Sequence, residues 1–227
     1  MPGWQDVTVV PAAATLASPS VEASFSGNSF AVSGLDHDLS GNATGSGEDR
    51  HGIAVADETA RQSILDELSS NQEGNVTGQD PAPDVAIAAP GLDVEGLVDL
   101  LLARADLITL DADPGNQTVG SPSQPAVAYA PDGLDVQGNF EGYGILVVEG
   151  TFEEATEFRG NASWTGLVIV RGEDGAQAAF DMSGNVEVIG AVVLQSDTGA
   201  VLDVGGSSSI RYSQEALGLA QSLLNAP

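Results

Sequence analysis

Cysteine is absent from this 227-residue chain. Disulfides, thiol nucleophiles and cysteine-ligated zinc are therefore excluded. Lysine is absent too. The cationic side chains are six arginines, Arg50, Arg61, Arg104, Arg159, Arg171 and Arg211, against 33 Asp and Glu, for a net charge of -27. Such a field repels nucleic acid and anionic lipid, which call for the opposite sign. It reads as a solvated acidic face suited to high salt, or as one that gathers cations. Aromatic residues make up only 5% of the chain, so the core must be aliphatic. No apolar run approaches the length of a membrane span, so none is expected in this chain. Met1-Pro2-Gly3 opens without a basic n-region or an apolar h-region, so no signal peptide is expected either.

Glycine is plentiful and regularly placed. Gly-Asn pairs fall at Gly115-Asn116, Gly138-Asn139, Gly160-Asn161 and Gly184-Asn185, and Gly205-Gly206-Ser207 continues the series. From Gly115 the steps to Gly138, Gly160, Gly184 and Gly206 are 23, 22, 24 and 22 residues. A second glycine follows in three units, at Gly144, Gly166 and Gly190, and each opens an apolar strand: Ile145–Val148, Leu167–Val170 and Ala191–Leu194. Around each Gly-Asn the residues alternate. This gives candidate inward columns Leu134/Thr156/Phe180/Leu202, Val136/Phe158/Met182/Val204, Phe140/Ala162/Val186 and Gly142/Trp164/Val188. Period-two alternation marks a strand with one face in, and glycine and asparagine supply the corners. A 22–24-residue unit holding several short strands predicts a parallel β-helix over 115–212, a solenoid of stacked rungs. The signature of a leucine-rich repeat is missing, and a β-sandwich would not hold this register.

The expected fold class is therefore all-β with added helices. Residues 213–227 read as a helix capping the end of the solenoid, with Ser213 as N-cap. Residues 1–114 form an irregular α/β part with helices over 57–70 and 93–105 packed on the end or flank of the solenoid. A strand around 23–32 lies beside the first coil, and a linker-like stretch runs from 71 to 90. The whole is expected to be one domain.

Three segments, Gly144-Ile-Leu-Val-Val-Glu-Gly150, Trp164-Thr-Gly-Leu-Val-Ile-Val-Arg-Gly172 and Gly190-Ala-Val-Val-Leu194, together with Gly27-Asn28-Ser29-Phe30-Ala-Val-Ser-Gly34-Leu-Asp36-His37-Asp38, resemble the C-terminal ectodomain region of PilX-type pilus assembly proteins. The resemblance spans roughly residues 20–215. It implies a minor-pilin-like surface protein of a type IV pilus, extracellular, with pilus or envelope proteins or surface glycans as partners. No catalytic residues carry over.

Two places carry candidate chemistry. In Asp36-His37-Asp38-Leu39-Ser40-Gly41-Asn42 the residues Asp36, Asp38 and Ser40 match the opening positions of a calcium loop, with Asn42 beside them. Gly47 stands where the closing Glu belongs, and Glu48 comes one residue late. A solvated Asx turn is the competing reading. His37 and His51 lie in the same region with Glu48 and Asp49, which suits a transition metal. The second place is the outward column Asp135/Glu157/Asp181/Asp203, flanked by Arg159. It reads as a screened ladder, as the acid and base of a polysaccharide hydrolase, or as the calcium cluster of a polysaccharide lyase with Arg159 as its base. Sequons at Asn42, Asn75, Asn116 and Asn161 complete the inventory.

The leading functional expectation is a non-enzymatic structural or adhesive cell-surface module, calcium being its one candidate cofactor. A polysaccharide-active β-helix enzyme is the alternative. A bactofilin-like self-polymerising β-helix comes third, opposed by the terminal helix and the net charge.

Overall fold

The structure, a computed structural model, describes residues 6–45, 47–150, 156–172 and 175–225. The Met1-Pro2-Gly3 start lies outside them. In chain order the first half holds β1 (Ala12–Ala17), β2 (Val21–Ser26), β3 (Ala31–Ser33), β4 (His51–Val55), α1 (Glu58–Glu67), β5 (Val76–Thr77), β6 (Val85–Ile87), α2 (Val94–Leu102) and β7 (Ile108–Thr109). The second half holds β8 (Gln117–Val119), β9 (Ala126–Ala130), β10 (Asp135–Val136), β11 (Asn139–Gly150), β12 (Thr156–Phe158) and β13 (Asn161–Gly172). It ends with β14 (Ala178–Met182), β15 (Glu187–Ser196), β16 (Ala200–Gly205), β17 (Ser209–Tyr212) and α3 (Gln214–Asn225). Among the described residues the protein is thus mostly β with three α-helices. The strands form a 12-stranded and a 5-stranded sheet, and every strand pairing in both is parallel.

The register follows the sequence repeat. Gly144 pairs with Gly166 and Gly166 with Gly190, so Ile145, Leu167 and Ala191 stand in one column and Glu149, Arg171 and Gln195 in another. On the second sheet Val136, Phe158, Met182 and Val204 align, all fully buried. Corners form where backbone φ turns positive, at Gly160, Gly184 and Gly206. The asparagines beside them make an amide ladder. Asn139 N donates to Asn116 Oδ1 at 2.7 Å, and the Nδ2 groups of Asn161 and Asn185 each reach the Oδ1 of the asparagine one repeat earlier at 3.3 Å. That ladder gives Asn116 and Asn161 a structural use.

Trp164 and Phe158 lie fully inside. The indole stacks on Phe140 at 6.1 Å between centroids, and Phe158 meets Phe140 and Phe180 edge-on at 6.0 and 5.3 Å. Glu149 and Arg171 pair through two hydrogen bonds of 2.8 and 3.1 Å, with Glu149 only 3% exposed. Adjacent places in one column bring the two together, and burial makes the pair a bidentate internal tie.

The helices begin where the acidic and hydroxyl caps direct. Asp57 accepts from Ala60 N, Asp93 from Gly96 N and Ser213 from Ala216 N, each satisfying an orphan N–H of the first turn. The place of α3 differs from the expected one. It does not cap an end: it lies along the flank, against β11, β13 and β15. The reason is in those strands. Ile145–Val148, Leu167–Val170 and Ala191–Leu194 are buried on both faces, as runs without alternation require, so a cover is needed outside. Ala216, Leu217, Ala220 and Leu223 supply it. Arg104 ties the helix end by donating to Leu223 O at 2.7 Å.

The N-terminal strands also depart from expectation. β2 pairs with β16 and β3 with β17, at the last repeat and not the first. β1 pairs with β15 on one side and β4 on the other, and β6 extends β4. The chain start thus continues the stack at its C-terminal end and satisfies the edge that α3 leaves open. The 71–90 stretch is built in as well, since β5 pairs with β3 and β6 with β4. Gln72 donates from Nε2 to the carbonyls of Phe25 and Gly27 at 3.0 and 2.7 Å.

Candidate functional site

The four residues read as a calcium loop sit in a hydrogen-bonded turn between β3 and β4. Asp36 is buried. Its Oδ1 accepts from Gln214 N at 2.9 Å and its Oδ2 from Thr44 Oγ1 at 2.8 Å, so it anchors the first turn of α3. Asp38 Oδ1 accepts from the backbone N of Ser40 and of Asn42, both at 2.9 Å, and Asn42 Nδ2 approaches the same carboxylate at 3.3–3.4 Å. Those bonds from Asn42, then Ser40, together with the nearby His37, hold Asp38 below the usual carboxylate range. The two aspartates thus face different partners. His37 Nδ1 lies against the carbonyls of Leu35 and Tyr212, while Glu48 pairs with Arg50 at 3.3 Å.

His51 points elsewhere. From the start of β4 its Nδ1 reaches Asp84 Oδ1 at 2.9 Å and Asp80 Oδ2 at 3.6 Å, and its Nε2 meets the Gln79 amide at 2.7 Å. The carboxylate and ring atoms of His51, Asp80 and Asp84 lie within 4.8 Å of one another. The sequence reading placed His51 in a metal region but missed Asp80 and Asp84. A sheet pairing brings them there: β6 joins β4 and returns the 78–84 loop over His51.

The carboxylate column is present in register. Asp135 pairs with Glu157, Glu157 with Asp181, Asp181 with Asp203 and Asp203 with Ser24. Neighbouring strands lie roughly 4.8 Å apart. Arg159 forms an ion pair with Glu157, and Gln137 donates to Asp135 Oδ2 at 2.6 Å. Among the described residues Asp181 has no comparable ion pair or hydrogen bond. Burial first, then the charges of Asp203 and Glu157, push its carboxyl above the usual value, with Arg159 opposing. A carboxyl whose folded pKa is raised leaves stability intact below its unfolded pKa, near 3.8, and removes stability as pH climbs through the higher folded value. Asp181→Asn should therefore raise the melting temperature at pH 7 and leave it unchanged at pH 3, where both forms are neutral. Melts of both proteins across pH 3–7 test this, and a variant less stable than the parent at pH 7 would refute the assigned strain.

Among the described residues no helix is long and apolar enough to cross a membrane. Comparison of the sequence with protein families and with curated proteins finds no match. Among solved structures, a glycosylated ice-binding protein from an Arctic yeast aligns over 93% of this chain and 95% of its own, at 11% identity and a TM-score of 0.29. A likeness at that level carries no argument.

Proposed function

We propose that the chain is a non-enzymatic structural or adhesive module of the cell exterior, built as one parallel β-helix and displayed on a pilus or on the envelope. The helix reading is supported by the register, in which strands one repeat apart pair in parallel on both sheets. Long strands bent at Gly144, Gly166 and Gly190 then serve as two sides of each coil. The pilus reading rests on the resemblance to PilX-type proteins. Its partners would be pilus or envelope proteins, or surface glycans.

One observation carries the surface role: the column Asp135/Glu157/Asp181/Asp203, which stacks like charges in register on the outer face of the smaller sheet. A chain of net charge -27 with such a ladder suits an ion-rich exterior. Screening length falls from about 30 Å at 0.01 M salt to about 3 Å at 1 M, so the melting temperature should rise steadily over that range in sodium chloride. A flat or falling response would contradict a salt-adapted surface.

The raised carboxyl of Asp181 between two carboxylates favours a second reading, a polysaccharide-cleaving enzyme with Asp181 as proton donor. Incubation with acidic polysaccharides separates the two. New chain ends that vanish in Asp181→Asn would overturn the module, and unchanged polymer supports it.

A further inference from the structure

We propose that His51, Asp80 and Asp84 bind one divalent transition-metal ion of the zinc kind, which clamps the 78–84 loop onto β4. The site is independent of the surface role proposed above.

Geometry comes first. Two ligands of a tetrahedral zinc, each about 2.0–2.1 Å from the ion, lie about 3.3 Å apart. The distances of 2.9 and 3.6 Å from His51 Nδ1 to the two carboxylates bracket that separation, and all three ligand atoms fall within 4.8 Å. Small adjustments of Asp80, whose side chain is 65% exposed, close the set.

Charge is the second argument. The Asp84 side chain is 1% exposed. Its Oδ2 accepts from Asp80 N at 3.1 Å and its Oδ1 faces His51. A buried carboxylate calls for a cation. Yet all six arginines are ion-paired elsewhere, to Glu48, Glu58, Asp106, Glu157, Glu149 and Glu187. A second carboxylate, Asp80, stands on the same histidine nitrogen. A dication at that point offsets both carboxylates.

The third argument is the far side of the ring. Gln79 lies 2.7 Å from His51 Nε2. With the amide turned so that its oxygen faces the ring, Gln79 accepts from Nε2–H and leaves the Nδ1 lone pair directed at the carboxylates. A ligating histidine is commonly held by such a bond on its other nitrogen. Without a metal the amide donates to Nε2, and Nδ1–H donates to Asp84. Binding therefore moves the ring proton from Nδ1 to Nε2 and turns Gln79. An imidazole in the donor set selects zinc, nickel or cobalt over calcium.

The test uses the full chain, stripped with a chelator and returned to buffer with 0.5 M sodium chloride to suppress loose attraction. Titration calorimetry with zinc should give one ion per chain, and zinc should raise the melting temperature where equal calcium does not. Asp80→Asn, at an exposed position, should fold normally and bind zinc at least tenfold more weakly, and His51→Gln should weaken it further. Asp38→Asn should bind as the parent does. Cobalt(II) should give the visible absorption of a tetrahedral centre, lost in Asp80→Asn. Zinc binding unchanged by Asp80→Asn, calcium matching zinc, or no one-to-one binding would each overturn the site and leave a hydrogen-bonded His51–Asp84 pair.

Discussion

Gly166→Ala is expected to lose most or all of the folded state, whereas Gly27→Ala is expected to cost only about 1–2 kcal/mol. Both glycines have positive φ, +136° and +78°. They differ in what a methyl group would meet. At Gly27 nothing lies within 4 Å, while at Gly166 an added Cβ would stand 1.9 Å from the carbonyl oxygen of Gly144. That oxygen belongs to the neighbouring strand, so no side chain can swing aside. The backbone angle adds its own penalty, because φ near +136° is essentially closed to L-residues with a side chain. Gly190 repeats the arrangement, its Cβ position 1.9 Å from the Gly166 oxygen. Separating the strands to admit the methyl would break a ladder that runs the length of the stack. Domain stabilities of about 5–15 kcal/mol leave little room for such a loss. Circular dichroism and urea denaturation of the two variants check the contrast, and equal, mild effects would mean that the strands approach less closely than described.

These glycines also mark what the sequence makes legible. The repeat of Gly144, Gly166 and Gly190 announced the strand register, and the alternation around Val136, Phe158, Met182 and Val204 announced the inward face. Both are local signals that recur, so they survive without knowledge of tertiary contacts. The course of the first hundred residues is not periodic. That β2 would join β16 and not the first repeat depends on which edge of the sheet stays open, a property of the assembled molecule. The flank position of α3 was partly legible. The unbroken apolar runs of Ile145–Val148 and Leu167–Val170 called for a cover on their outer face, and an amphipathic helix lies directly downstream. The site followed the same rule. The Asp135/Glu157/Asp181/Asp203 column inherits the repeat and was visible. Asp80 and Asp84 meet His51 only because β6 pairs with β4, and the proline-rich loop between β5 and β6 gave no periodic sign of it.

Trp164→Ala is expected to cost about 3–5 kcal/mol, the usual penalty for emptying a large aromatic site in a core, and its interaction with Gly142 should reveal how the indole is housed. The two residues pair across β11 and β13. A Cβ added at Gly142 would fall 1.9 Å from Trp164 Cζ3 and 2.0 Å from its Cε3. The φ of Gly142 is not in the positive range, so the backbone there accepts alanine and only the ring forbids it. Gly142→Ala in the parent should therefore destabilise by about 1–3 kcal/mol through overpacking. With Trp164 already reduced to alanine the clash is gone. The new methyl then occupies part of the void beside Phe140, and the unfolded chain loses the freedom of a glycine. The double variant should consequently be no less stable than Trp164→Ala alone. Urea denaturation of the four proteins closes the cycle, and the coupling should be at least as large as the cost of Gly142→Ala by itself. Strict additivity would place the tryptophan away from Gly142 and remove the pairing of β11 with β13 from the account of this core.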